Sequence, residues 1–157
     1  MNARLIPIPI IVIMALTALS LGQMTAADWF YKGMALYNQD EFEESLQAYD
    51  NATDLAPMDA EIWNSKGSVL GVLGKYDDAL RAFDKATTLN ESYAEAWYNM
   101  GVIYDMQGDY EDAVQAYTKA TEINPGYQKA LVNKNADVDI IMSPALSCGC
   151  KNQLPMP

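Results

Sequence analysis

Trp97-Tyr98-Asn99-Met100-Gly101-Val102-Ile103-Tyr104, followed closely by Gly108-Asp109-Tyr110-Glu111-Asp112-Ala113, is the stretch on which the fold turns. In its first part Trp97, Met100, Gly101 and Tyr104 recur at intervals of three and four, the spacing of one helical face. Gly108 then accepts the left-handed backbone of a tight turn. The acidic pair Glu111-Asp112 opens a second helix at the positive end of its dipole, and Pro125 stops that helix. The stretch reads as helix, turn, helix.

Outward from it, the same unit recurs. Trp29, Trp63 and Trp97 are evenly spaced, and Gly33, Gly67 and Gly101 follow them in the same register. Phe42, Tyr76 and Tyr110, then the small residues Ser45, Ala79 and Ala113, keep the same period. So do Tyr49, Phe83 and Tyr117, and Ala52, Ala86 and Ala120. Self-similarity at a fixed period of this size marks a repeat architecture. The first helices are predicted over residues 26–39, 60–73 and 94–107, and the second over 43–56, 77–90 and 111–124. Asp40-Glu41, Gly74-Lys75 and Gly108-Asp109 form the turns. Glycine in a helix costs about 1 kcal/mol against alanine, so the Gly33, Gly67 and Gly101 column implies close helix packing that offsets it. The three tryptophans are expected in the core. Pro57 and Pro125 end the outer units, whereas Glu91 fills that place in the middle one, predicting a more helical or less sharply bent junction there.

These motifs resemble the tetratricopeptide repeat (TPR) family, from Trp97 through Tyr104, Gly108 through Ala113, and on to Asn124-Pro125. The resemblance covers residues 26–127 without insertion, as repeats 26–59, 60–93 and 94–127, with mild departures at Leu36, Ser45 and Glu91. It implies an all-α fold, a right-handed superhelix or α-solenoid of three helix-turn-helix units. Leu131 falls one further period after Trp97, so residues 128–142 read as a capping helix. Lys129, Asn133, Lys134, Asp137 and Asp139 are expected to give that cap its polar side. Ser143-Pro144 ends it, leaving a tail over 143–157 expected to be flexible.

The resemblance also implies a concave groove lined by the first helices. Carried over position by position, the groove takes Phe30, Tyr31, Met34 and Tyr37 from the first repeat and Glu61, Asn64, Ser65 and Ser68 from the second. The third gives Glu95, Tyr98, Asn99, Val102 and Asp105, with Lys129 and Val132 from the cap. Phe30 and Met34 read equally well as packing on the N-terminal segment. An Asn99 amide can bond an extended peptide through both its ends, and Tyr37 and Tyr98 add apolar area with a polar tip. Glu61, Glu95 and Asp105 bias the groove toward neutral or basic peptides. Family members that hold a chaperone's C-terminal carboxylate use Lys, Arg and Asn in this groove. Here those places hold Phe30, Met34, Ser65, Glu95 and Asn99, so the cations are missing.

Composition narrows the function further. With 10 Lys and Arg against 21 Asp and Glu the chain carries −11, which repels nucleic acid and anionic membrane surfaces. It contains no histidine, the commonest general base and metal ligand. No phosphate-binding glycine loop is present, since Gly71 and Gly74 belong to the repeat pattern. Neither catalysis nor a cofactor is implied. Cys148 and Cys150 could supply at most two metal ligands, half a structural zinc site, or a strained disulfide. Asn51 and Asn90 lie in glycosylation sequons, meaningful only where exported proteins are glycosylated.

The N-terminus reads differently from the rest. Arg4 precedes an uncharged apolar run from Leu5 to Leu21, followed by small residues at Ser20-Leu21-Gly22 and Thr25-Ala26-Ala27. This is the order of a signal peptide, and residues 1–25 are read as one, or as a retained anchor. As a helix Leu5–Leu21 would span roughly 26 Å against a hydrocarbon core of about 30 Å. Either reading keeps Arg4 inside and places the acidic remainder outside the cytoplasm, secreted or tethered to the outer face of the membrane. The expected function is a non-catalytic adaptor holding a protein or peptide segment. The alternatives are self-assembly in a cell-surface complex and a redox or metal role for the cysteines.

Overall fold

The computed structural model describes residues 24–143, all of whose regular structure is helical. Residues 1–23, most of the stretch expected to be a signal peptide or anchor, and the Cys148–Cys150 tail lie outside the described residues. Seven helices follow one another: α1 (Ala26–Tyr37), α2 (Phe42–Leu55), α3 (Ala60–Val72), α4 (Tyr76–Leu89), α5 (Ala94–Gln107), α6 (Tyr110–Ile123) and α7 (Gln128–Met142). Each packs on its sequence neighbours, pairing α1 with α2, α3 with α4, and α5 with α6. The result is an all-α helical repeat solenoid.

Local chemistry sets the boundaries. A capping box opens α1: the Thr25 hydroxyl accepts the Asp28 N–H, and the Thr25 N–H donates to the Asp28 carboxylate at 2.9 Å. The Thr25 N–H, and then the Thr25 hydroxyl donating at 2.8 Å, hold the Asp28 carboxyl below its ordinary value. Asp59 caps α3 by accepting from the Glu61 and Ile62 N–H groups. Glu43-Glu44, Asp77-Asp78 and Glu111-Asp112 fill the first turns of the second helices, each of which starts one residue earlier than expected. The turns take positive φ at Asp40 (61°), Gly74 (71°) and Gly108 (83°).

The glycine column has the packing role expected of it. A Cβ on Gly67 or Gly101 would stand 2.6 Å from the ring of Phe83 or Tyr117, and one on Gly33 would stand 2.9 Å from Tyr49. The second-helix aromatic of each repeat thus lies directly on the first-helix backbone. Ser45, in a column otherwise of alanine, has its own use: its buried hydroxyl donates to the Gly33 carbonyl at 2.8 Å.

Three expectations are corrected. The tryptophans pack against the buried clusters but are themselves only half-buried, at the edge of the core. Trp63 and Trp97 donate their indole N–H to the carbonyls of Pro57 and Glu91, at 2.9 and 3.3 Å, which holds the ring's polar edge outward. The Glu91 junction is no more helical than the others. The Asn90 carboxamide accepts the Ser92 N–H at 3.1 Å, as that of Asn124 accepts the Gly126 N–H, so an Asn side chain forms the turn without proline.

The third correction concerns the cap. Asn133 and Asp137 turn inward, not to solvent. Asn133 Nδ2 donates to the Tyr117 hydroxyl at 3.2 Å. Asp137 is 2% exposed, and its Oδ2 meets no hydrogen-bond partner. It stands one period after Ile103 and two after Val69, both buried, so a carboxyl occupies a register otherwise apolar. Burial, and then the charge of Asp105, push it up to about 6.

Candidate peptide-binding face

The first helices of the second and third repeats also meet each other directly, whereas second-helix pairs make less contact. These two repeats are thus drawn together along their first helices, whose side is called the inner face below. Gly71 makes part of this approach possible, since a Cβ there would stand 2.8 Å from Ile103 Cδ1.

A polar network crosses the inner face. Asn99 Nδ2 donates to Asn64 Oδ1 at 3.0 Å, and Asn64 Nδ2 donates to the Tyr93 hydroxyl at 3.3 Å. Ser68 lies one turn on and donates to the Asn64 main-chain carbonyl at 3.1 Å. Asn64 is 4% exposed, so its amide aligns the two helices and is not itself open to a ligand. Asn99 is half-buried, with its NH2 group already engaged on Asn64. That bond uses one N–H and leaves its carbonyl oxygen and its second N–H uncommitted.

Acidic groups surround the network. Tyr93 is pushed up to about 12, mainly by burial, then by the charges of Glu95, Glu61 and Asp59 against the opposing bond from Asn64. Tyr127 is raised by burial, Glu95 and Tyr98. Glu61 and Glu95 are both exposed.

The remaining expected groove residues divide into two groups. Phe30 packs on Tyr31 and Tyr49, with ring centroids 5.6 and 5.9 Å apart, so its ring is partly committed to the fold. Tyr37 is similarly half-buried, edge-on to Phe42 at 5.4 Å. Tyr98 stacks between Tyr117 and Tyr127, and Val102 packs in the same cluster. Met34 is exposed, as are Tyr31 and Val132. Asp105, half-buried, is the charge that faces Asp137. A cavity of about 330 Å³ opens between α1 and α3, lined by Phe30, Tyr31, Ile62, Asp59 and Glu61.

Tyr93, Tyr127 and Asp59 were not among the expected residues. They share one column, at the N-cap positions of α5, α7 and α3. Tyrosine is a poor N-cap and makes no capping bond here, and that mismatch was the available signal. Among the described residues no group of three or more His, Cys, Asp or Glu is placed to hold a metal. No helix among them is long and apolar enough to cross a membrane.

Tetratricopeptide repeat models match residues 26–59 and 94–127, and a TPR repeat model matches 72–108, across the overlapping middle of the chain. The chain belongs to the tetratricopeptide repeat family. Among curated proteins none matches it. Among solved structures, the first TPR of Spaghetti (RPAP3) bound to an HSP90 peptide, SRMEEVD, is similar at TM-score 0.74 and 22% identity, over 76% of this chain and 94% of that one. The Sgt2 TPR domain from Aspergillus fumigatus gives TM-score 0.74 at 19% identity, over 84% and 87%. MamA gives 0.72 at 23%, over 78% and 72%. This tetratricopeptide repeat protein is therefore built as a protein-interaction module, of a fold that is typically non-catalytic.

Proposed function

We propose that the inner face binds an extended protein segment, neutral to basic in character, between α1, α3 and α5. The observation carrying this reading is the belt of exposed Glu61 and Glu95 with Asp59 around the Tyr93–Asn64–Asn99 network. Beside it the cavity at Phe30 and Tyr31 offers apolar walls rimmed by Asp59 and Glu61, suited to the long stem and cationic head of a lysine or arginine. The SRMEEVD peptide of the similar structure is acidic at its C-terminal end. Glu95 and Met34 stand where carboxylate-holding members carry polar or cationic groups, and this face disfavours such a ligand.

We infer in addition that residues 1–25 export the domain. Cleavage near Ser20-Leu21-Gly22 would keep the Thr25–Asp28 capping box whole, whereas cleavage after Ala27 would remove it, a cost of about 1 kcal/mol. This supports the earlier site for a processed form. N-terminal sequencing of protein from the exported and membrane fractions tests it, and a mature chain starting at Asp28 would contradict it.

Groove binding is tested with immobilised peptides that alternate lysine with leucine, set against glutamine-leucine counterparts. Preferential capture of the basic set, lost with Glu61→Lys and Glu95→Lys, supports the reading. Capture unchanged by those substitutions and by Tyr98→Ala with Asn99→Ala overturns it.

A further inference from the structure

The acidic inner face leaves the chain's cations unaccounted for. Of 10 Lys and Arg, four line a single cavity of about 540 Å³: Lys66, Lys75, Arg81 and Lys85. Its walls come from the second helices α2 and α4 and its floor from α3, so it occupies the seam that opens where second helices diverge.

Repeat packing does not require this set of charges. One period after Lys66, Lys75 and Arg81 the chain holds Met100, Asp109 and Gln115, and one period before Lys75, Arg81 and Lys85 it holds Glu41, Gln47 and Asn51. Lys32 and Lys119 do keep the registers of Lys66 and Lys85, but each stands without the other three. Those repeats fold without the full set. The corresponding cavity of the third repeat, about 430 Å³, has Lys119 as its one cation and is lined by Asp112 and Gln115 instead. The basic seam is a property of the second repeat alone.

Two of the four cations are already matched. Lys66 Nζ lies 2.8 Å from Asp50 and 5.0 Å from the centroid of the Trp63 ring, and Arg81 pairs with Asp78. Among the described residues Lys75 and Lys85 have no ion-pair partner. Trp63, Leu46 and Leu70 provide apolar lining in the same cavity. Two spare lysines over an apolar floor match a carboxylate next to an aliphatic or aromatic side chain. A nucleic acid is excluded by the net −11 of the whole chain, which repels an extended polyanion but not a short acidic segment seated locally.

We propose that this seam is a second binding site, for an acidic peptide segment in which Glu or Asp adjoins Leu or an aromatic residue. It is separate from the inner face and opposite to it in charge preference, so the protein can hold two dissimilar segments at once.

The test is fluorescence anisotropy of the full chain with a labelled peptide of repeated Glu-Asp-Leu, against Gln-Asn-Leu as control. The native chain is expected to bind the acidic peptide at low salt and lose it as salt is added. Lys75→Glu with Lys85→Glu should weaken binding on the order of tenfold, one exposed and one half-buried charge being reversed. Lys75→Gln with Lys85→Gln should give a smaller loss, and unchanged helical circular dichroism shows that both variants fold. Asn99→Ala with Tyr98→Ala on the inner face should leave this binding as it was. The proposal fails if the native chain does not bind the acidic peptide, or if the reversed-charge variant binds it equally well. It also fails if the inner-face variant abolishes binding, or if inorganic phosphate displaces the peptide at equal concentration.

Discussion

Asn99 of the third repeat donates its amide to Asn64 of the second across 3.0 Å, and this bond joins first helices from two successive repeats. Asn64 passes the alignment on to Tyr93, so three side chains share one network. Asn64→Ala is expected to cost about 1–2 kcal/mol, since it strips partners from the half-buried Asn99 amide and Tyr93 hydroxyl. Urea denaturation measures it, and a loss below a few tenths would show that water replaces the bond without cost.

Gly67→Ala tests whether the glycine column is a packing device. Helix propensity alone favours alanine by about 1 kcal/mol. The Phe83 ring 2.6 Å from the added Cβ reverses the sign, with an expected net loss of about 1–3 kcal/mol. Phe83→Leu in the same chain should recover part of the loss, whereas a stabilised single variant would contradict the packing account.

Gly108→Ala should destabilise by about 1 kcal/mol for a different reason, its φ of 83° with nothing within 4 Å of the new Cβ. Asp40, at φ 61°, is the mirror case: Asp40→Gly should raise the thermal midpoint. Thermal unfolding of both variants checks the pair.

Asp137 gives the cap a pH dependence. Its folded carboxyl is raised from 3.8 to about 6, so the folded state holds a proton that the unfolded chain releases. Stability is therefore lost as pH rises through that window, and above it the ionised carboxylate opposes docking of α7. Asp137→Asn should lack this component, the native chain falling behind it by on the order of 2 kcal/mol between about pH 4 and about pH 7. The groups facing Asp137 are Asp105 from α5 and Tyr117 from α6, and neither offers it a positive charge. Denaturant midpoints of the two proteins across that range test it, with parallel curves sinking the assignment.

The parts of this molecule that were legible beforehand are those repeated in triplicate. The even period places the helices, and the Gly33–Tyr49 type of contact follows because one constraint is written three times. What escaped is whatever occurs once. Asp137 reads as solvated polarity in a single capping helix, and only the comparison with Val69 and Ile103 in register exposes its burial. The tryptophans recur, but recurrence identifies a shared environment without saying how much of it is solvent, and their indole bonds to Pro57 and Glu91 lie at the seam. For the inner face the positions followed from the family resemblance. The commitments of Phe30, Tyr37 and Asn64 to their neighbours did not, because they depend on partners brought close only by the fold.

The two joints of the solenoid differ in the polar contact that crosses them. Between the first and second repeats, Lys66 of α3 grips Asp50 of α2 through an ion pair, with side chains 20% and 52% exposed. Between the second and third, the Asn64–Asn99 bond is neutral and largely hidden. Dissolved salt screens the former and barely touches the latter. Buried packing of Tyr49 and Ala52 with Ile62 and Val69 also holds the first joint, so concentrated salt should remove only its ionic share, about 0–1 kcal/mol, and leave the second joint unchanged.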